Sequence, residues 1–142
     1  MDAIEFRIER LILKAGNALN NIRTKDLSDN NLTSVQSETI LFYAANEGSN
    51  IKDLAAHLKI THQAARKLVV KLKEKGILET EISAGDRRNT CIRLTEGGSA
   101  LCGKLKKKGT SNGEILLKGF SDNEKQLLAE YLVRIEKNIT GK

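Results

Sequence analysis

The sequence contains no proline and no tryptophan, and aromatic residues make up only 4% of its 142 residues. Such a composition favours helices over an all-β sandwich, which needs many short strands and tight turns. No apolar run approaches the roughly 20 residues that cross a bilayer, and acids stand near the N-terminus where a secretory signal carries bases. We therefore expect a cytoplasmic protein without a membrane partner.

The residues that most often bind metals or perform catalysis are also scarce. There are two cysteines, Cys91 and Cys102, and two histidines, His57 and His62, and no spacing among them is typical of a metal site. Neither the motif H-E-x-x-H nor the phosphate-binding loop G-x-x-x-x-G-K-[ST] occurs. We expect no cofactor, no metal and no enzymatic activity.

Basic charge is abundant and unevenly distributed. Twenty-four Lys and Arg residues against eighteen Asp and Glu residues give a net charge of +6. The stretch 61–76 concentrates this excess, with Arg66 and four lysines against a single acid, Glu74. Basic charge gathered on one predicted helix indicates a polyanionic partner, although a basic stripe on its own is often only a solvated helix face.

The apolar spacing predicts six helices and one β-hairpin. The first helix spans 3–22 and ends before the polar stretch 24–31. The second begins at a capping box formed by Thr33 and Gln36, and Gly48 follows it. The third is capped by Asn50 and the fourth by Thr61, and about three residues join them as a helix-turn-helix.

The C-terminal part of the chain follows the hairpin. Residues from Ile77 to Leu94 alternate with period two around the polar connection 83–89, which predicts a hairpin with an exposed basic loop, the wing. Thr95 caps a fifth helix that extends to about Lys108, a loop is predicted over 109–119, and Ser121 opens a sixth helix. The predicted fold is mostly α, with a small β-hairpin wing.

The run DLAAHLKITHQAARKLVVKLKEKGILE, followed by GDRRNTCIRLTEGG, resembles the MarR family of winged-helix transcriptional regulators. The resemblance also includes Thr-x-x-Gln at Thr33, and element order and length agree over nearly the whole chain. It implies a single MarR-like domain over 1–142 with a winged helix-turn-helix lobe over 33–94. It further implies a homodimer in which helices from 1–22 and 95–142 of both subunits interleave.

Helical geometry turns a polar face outward if Ala65, Leu68, Val69 and Leu72 face inward. The predicted DNA-binding residues on this face and at its cap are Thr61, His62, Gln63, Arg66, Lys67 and Lys71. Gln63, Arg66 and Lys67 are expected to contact bases, while Lys71 and Lys73 are expected to contact phosphates. The resemblance adds the wing: Asp86 holds the loop, Arg88 probes the minor groove, and Arg87 is a further phosphate contact.

We therefore expect a sequence-specific regulator that binds a pseudo-palindromic operator in double-stranded DNA. The resemblance favours a repressor released by a small-molecule or redox signal. A small aromatic effector is expected to lie near Leu11, Ile12, Phe42 and Tyr43, although aromatic residues such as Phe42 and Tyr43 are more often plain core residues. The alternative is a winged-helix interaction module that binds protein or RNA.

Overall fold

A computed structural model describes residues 1–82 and 90–141, and the side chain of Ile82 is not described. Six helices and a two-stranded antiparallel hairpin lie within these ranges, which confirms the predicted fold. The elements are α1 (Ile4–Ser28), α2 (Ser34–Ala45), α3 (Ile51–Leu58), α4 (His62–Glu74), β1 (Leu78–Ile82), β2 (Thr90–Leu94), α5 (Glu96–Leu116) and α6 (Asp122–Thr140). Within the described ranges, no helix is long and apolar enough to cross a membrane.

The predicted helix caps are present in the structure. The Thr33 hydroxyl accepts from the Gln36 amide at 3.1 Å, and the Gln36 side chain accepts from the Thr33 amide at 3.0 Å. Equivalent reciprocal pairs open α3 at Asn50 and α6 at Ser121. Each cap satisfies backbone N–H groups that a helix leaves unpaired at its first turn.

Helix α1 is longer than predicted, because it runs on to Ser28 through residues expected to break it. Leu27 is buried in this extension, so packing within the fold outweighs the polar character of its neighbours. Arg23 also ties α1 to α2: its guanidinium donates to the hydroxyls of Ser34 and Ser37 at 3.0 and 3.2 Å and pairs with Glu38 at 2.6 Å.

Helix α5 also exceeds its predicted length, so the loop predicted over 109–119 is wrong for most of that range. The helix continues to Leu116 through two glycines, Gly109 and Gly113. The Thr110 and Ser111 hydroxyls donate to carbonyl oxygens one turn earlier, at 2.9 and 3.1 Å. Glycine weakens a helix by only about 1 kcal/mol, and such a penalty does not by itself end one.

The core lies in the part of the chain that includes the helix-turn-helix. Its fully buried large side chains come from α2, α3, α4 and β2, and they are Tyr43, Ile40, Leu54, Leu72, Ile92, Val69 and Thr39. The chain divides into two compact units, residues 1–103 and 104–142. The first unit therefore contains the whole helix-turn-helix with its hairpin.

The junction between the hairpin and α5 depends on a close approach at Gly98. A Cβ atom at this position would collide with the carbonyl oxygen of Ile77, so no other residue fits without a shift of the backbone. Thr95 completes the junction, since its hydroxyl donates to Gly76 O at 2.6 Å and accepts from the Gly98 amide at 2.9 Å. The predicted cap of α5 thus also fixes the start of the hairpin.

Candidate DNA-binding surface

The helix-turn-helix consists of α3 and α4 with the three-residue turn 59–61 between them. Lys59 adopts a left-handed conformation (φ 57°) that turns the chain sharply after α3. The Thr61 hydroxyl accepts from the Ala64 amide at 3.1 Å and starts α4. Because Ala65, Val69 and Leu72 are buried, the rotation of α4 about its axis is fixed.

The opposite face of α4 is open to solvent, as helical spacing predicts. All six residues predicted for DNA binding on this helix and its cap are exposed: Thr61, His62, Gln63, Arg66, Lys67 and Lys71. Within residues 1–82 and 90–141, no hydrogen bond or ion pair engages the side chains of Gln63, Arg66, Lys67 or Lys71. Their donors are therefore available to a ligand.

Two further lysines near the end of α4 have intramolecular partners. Lys73 Nζ lies 3.4 Å from the Thr80 hydroxyl on β1, and Lys75 Nζ donates to the Asn31 carbonyl at 2.7 Å. The second bond joins the end of α4 to the corner between α1 and α2. Within the part of the chain that the structure describes, the basic side chains early in α4 thus have no intramolecular partner, whereas Lys73 and Lys75 at its end do.

The hairpin that carries the wing is stiffened by a basic residue that sequence reasoning did not single out. Arg93 on β2 pairs with Glu79 at 2.9 Å and with Glu81 at 3.2 Å, both on β1. Glu79 stands directly opposite Arg93 in the antiparallel register, where opposite charges attract. The predicted wing residues Asp86, Arg87 and Arg88 lie outside the described residues.

A cleft of about 290 Å³ adjoins the exposed face of α4. It is lined by Asn50, Ile51, Lys52, His62, Arg66 and Thr90, so α3, α4 and β2 all contribute to it. His62 and Arg66 are predicted DNA-binding residues, whereas Lys52 and Thr90 are not. Sequence reasoning could have found these two residues only by position. Lys52 lies in the first turn of α3, and Thr90 is the first residue of β2.

The residues suggested for an effector pocket have very different environments. Leu11 and Ile12 on α1 are 59% and 39% exposed, whereas Phe42 and Tyr43 on α2 are buried. Phe42 packs edge-to-face on Tyr43 with ring centroids 5.1 Å apart, and it also contacts His57 at 4.8 Å. The two aromatic rings therefore contribute to the core of the lobe.

The Tyr43 hydroxyl is a structural hydrogen-bond donor. It donates to the Asn50 carbonyl at 3.0 Å and so holds the start of α3 against α2. Burial of the phenol, together with the negative charge of Asp53, raises the pKa of Tyr43 well above its ordinary value. The hydroxyl remains protonated and continues to donate over the whole physiological range.

Comparison with known proteins agrees with this geometry. A model of the MarR family matches residues 30–89. The chain is 27% identical over 129 residues to the uncharacterized HTH-type transcriptional regulator YybA of Bacillus subtilis (strain 168), and the match covers 91% of this chain and 84% of YybA. The crystal structure of the transcriptional regulator SlyA superposes with a TM-score of 0.80 at 25% identity, covering 94% of each chain. Over residues 30–89 in sequence, and over nearly the whole chain in fold, this protein is similar to the MarR family.

A structure of mutant MarR from E. coli complexed with operator DNA has the same fold, with a TM-score of 0.73 at 22% identity over 91% of this chain and 93% of that one. The MarR-family match over 30–89 includes every residue predicted here to bind DNA. Among the described residues, no group of three His, Cys, Asp or Glu side chains could hold a metal ion. The fold and the relatives are those of a DNA-binding transcriptional regulator.

Proposed function

We propose that this protein is a homodimeric regulator that binds a pseudo-palindromic operator in double-stranded DNA and represses transcription there. The observation that carries the proposal is the exposed face of α4, where the side chains of Gln63, Arg66, Lys67 and Lys71 have no intramolecular partner within the described residues. This face belongs to the second helix of a helix-turn-helix, the element that enters the major groove in such motifs.

The side chains on this face suit base recognition. A guanidinium pairs with O6 and N7 of guanine through two hydrogen bonds, and an amide pairs in the same way with adenine. Arg66 and Gln63 supply these groups in the N-terminal half of α4, where Lys67 adds a third long donor. We assign base contacts to these three residues and phosphate contacts to Thr61 and Lys71.

The wing supplies the second groove contact in this proposal. Asp86 holds the loop, Arg88 enters the minor groove and Arg87 contacts a phosphate. A narrow minor groove concentrates negative potential, so a planar cation is attracted there with little regard to sequence. The pairs of Arg93 with Glu79 and Glu81 support this role, because they join the two strands that flank the wing in the sequence.

The terminal helices support a homodimer. Every residue of α6 is at least partly exposed, and Tyr131 and Leu132 are 50% and 48% exposed. On α1, Leu11 and Ile22 are 59% and 48% exposed. Apolar helix faces of this length are covered in stable proteins, so we propose that the region 1–22 and 95–142 packs against the same region of a second copy.

Repression follows if the operator overlaps a promoter, because the bound dimer then excludes the polymerase. We further propose that a small-molecule or redox signal releases the dimer by favouring a lobe spacing that does not match the operator. A small aromatic compound near Leu11, Ile12, Phe42 and Tyr43 is our preferred effector. The two buried aromatic rings would then have to move for it to enter.

Selection of genomic fragments by the purified protein, followed by footprinting and a salt titration, tests the proposal. We expect a discrete footprint with two half-sites about one helical turn apart, roughly 34–36 Å, and affinity that falls steeply with salt. Arg66→Ala should reduce the preference for the operator over a half-site mutant by about 1–3 kcal/mol. The absence of a footprint at every salt concentration would reject the proposal in favour of a protein or RNA partner.

A further inference from the structure

We infer that the cleft between α3, α4 and β2 holds a backbone phosphate of the bound duplex, with Lys52 as its principal cation. The inference rests on the proposed function and adds a contact outside the face of α4. Lys52 lies in the first turn of α3, and the cleft brings it together with His62 and Arg66 of α4 and with Thr90 of β2. An ammonium group, a guanidinium, an imidazole and a hydroxyl thus line one opening.

The walls of this cleft are fixed by bonds that do not involve Lys52. The Tyr43 hydroxyl donates to the Asn50 carbonyl at 3.0 Å, and the Ile92 amide on β2 donates to the Ser49 carbonyl at 2.9 Å. The start of α3 is thereby held to α2 on one side and to β2 on the other. A site assembled before binding loses little conformational entropy when the ligand arrives.

The charge balance of the cleft favours an anion. None of its six lining residues is acidic, and the nearest acid in sequence, Asp53, accepts from the Asn50 amide at 3.2 Å as part of the α3 capping box. The positive end of the α3 dipole adds to the potential. Within residues 1–82 and 90–141, no ion pair neutralises Lys52 or Arg66.

The position of Arg66 decides which anion this is. Arg66 lines the cleft and also belongs to the face of α4 that we propose reads bases, so a strand lying along that face passes the cleft opening. The first helix of a helix-turn-helix crosses the DNA backbone, and its contacts fix register without reading sequence. Lys52 is therefore a positioning contact to a phosphodiester.

A salt titration of Lys52→Gln, read by fluorescence anisotropy with the selected operator and with an unrelated duplex, tests this assignment. We expect affinity for both duplexes to fall by the same factor, so that their ratio stays at the wild-type value. The slope of log K against log salt should become shallower by about 0.9 for each lost phosphate contact. A dimer loses one such contact in each subunit, so we expect a total change of about 1.8. Lys52→Arg keeps the charge and should keep the slope.

Lys125→Gln on α6 removes the same charge from an exposed position outside the lobe and is the matched control. The inference is overturned if Lys52→Gln keeps the wild-type slope, if Lys125→Gln flattens the slope equally, or if Lys52→Gln changes the ratio between the two duplexes. In each of these cases the wild-type footprint remains and the proposed function stands. Loss of the wild-type footprint would reject the proposed function itself. Unchanged circular dichroism shows that the variants are folded.

Discussion

The helix-turn-helix and the terminal helices have the same kind of apolar spacing, but their apolar side chains differ in burial. In the lobe, Leu54 of α3 and Leu72 of α4 are fully buried by neighbouring elements of the same chain. In the terminal helices, Leu11 of α1 and Leu132 of α6 are 59% and 48% exposed. Periodicity therefore identifies a face that must be covered, but it does not identify what covers it.

The largest expected effect is at the exposed stripe of α6. Leu132→Glu would place a carboxylate in the proposed interface once in each subunit, and an unpaired buried charge is unfavourable by several kcal/mol. We expect the dimer dissociation constant to rise at least about a thousand-fold, measured by size exclusion with light scattering over a dilution series. Lys137→Glu, an exposed polar position on the same helix, is the control and should remain dimeric. A Leu132→Glu dimer of wild-type affinity would contradict the interface.

The next largest effect is expected in the core of the lobe, where a buried and an exposed apolar side chain can be compared. Leu54→Ala leaves a cavity in a core that is fully closed, and we expect the free energy of unfolding to fall by about 2–5 kcal/mol in chemical denaturation at fixed protein concentration. Val70→Ala removes methyl groups from a side chain on α4 that is 47% exposed, and it should lower that free energy by less than about 0.5 kcal/mol. Equal losses in the two variants would mean that the burial of Leu54 contributes little.

Tyr43 lies in the core and holds the start of α3 through its hydroxyl. Its substitution should have a smaller and pH-dependent effect on the free energy of unfolding. Tyr43→Phe removes the hydrogen bond to Asn50 and should lower the free energy of unfolding by about 0.5–1.5 kcal/mol at neutral pH. Because folding raises the pKa of this phenol, its contribution is full below the unfolded value of about 10 and is lost as pH rises above it.

The difference between wild type and Tyr43→Phe should therefore shrink above about pH 10 in denaturation curves measured from pH 7 upwards. Tyr131→Phe keeps Tyr43 and alters a side chain that is 50% exposed. Its free energy of unfolding should fall above about pH 10 as that of the wild type does. A difference that stays constant with pH would show that Tyr43 ionises with equal ease in the folded and unfolded chains.

The features that could be predicted from the sequence are those whose cause lies within a few residues. The reciprocal cap at Thr33 and Gln36 needs only a three-residue spacing, and the outward face of α4 follows from helical geometry once its buried positions are recognised. The candidate base contacts Gln63 and Arg66 could be predicted from the sequence for the same reason. Their exposure agrees with the prediction, and their contact with DNA remains a proposal.

The features that could not be predicted depend on residues far apart in the chain. Helix α1 continues to Ser28 because the tertiary fold buries Leu27, and the Lys75 bond to Asn31 joins residues 44 apart. The cleft at Lys52 likewise needs Thr90 from the opposite end of the lobe. A local pattern contains no information on such pairings, since topology alone brings these residues together.

The smallest expected effect is at Arg93, where the contrast is between buried packing and exposed charge. Its pairs with Glu79 and Glu81 join side chains that are all about half exposed, and pairs of this kind stabilise a fold by less than about 1 kcal/mol. Arg93→Ala should therefore leave the unfolding midpoint nearly unchanged, while a less rigid hairpin should speed dissociation from the operator, measured by stopped-flow competition. Because salt screens exposed pairs, the difference in dissociation rate should narrow as salt rises. Glu114→Ala on α5 removes an exposed charge away from the hairpin and is the control, which should dissociate at the wild-type rate. If Arg93→Ala also dissociates at the wild-type rate, the pairs of Arg93 do not contribute to DNA binding.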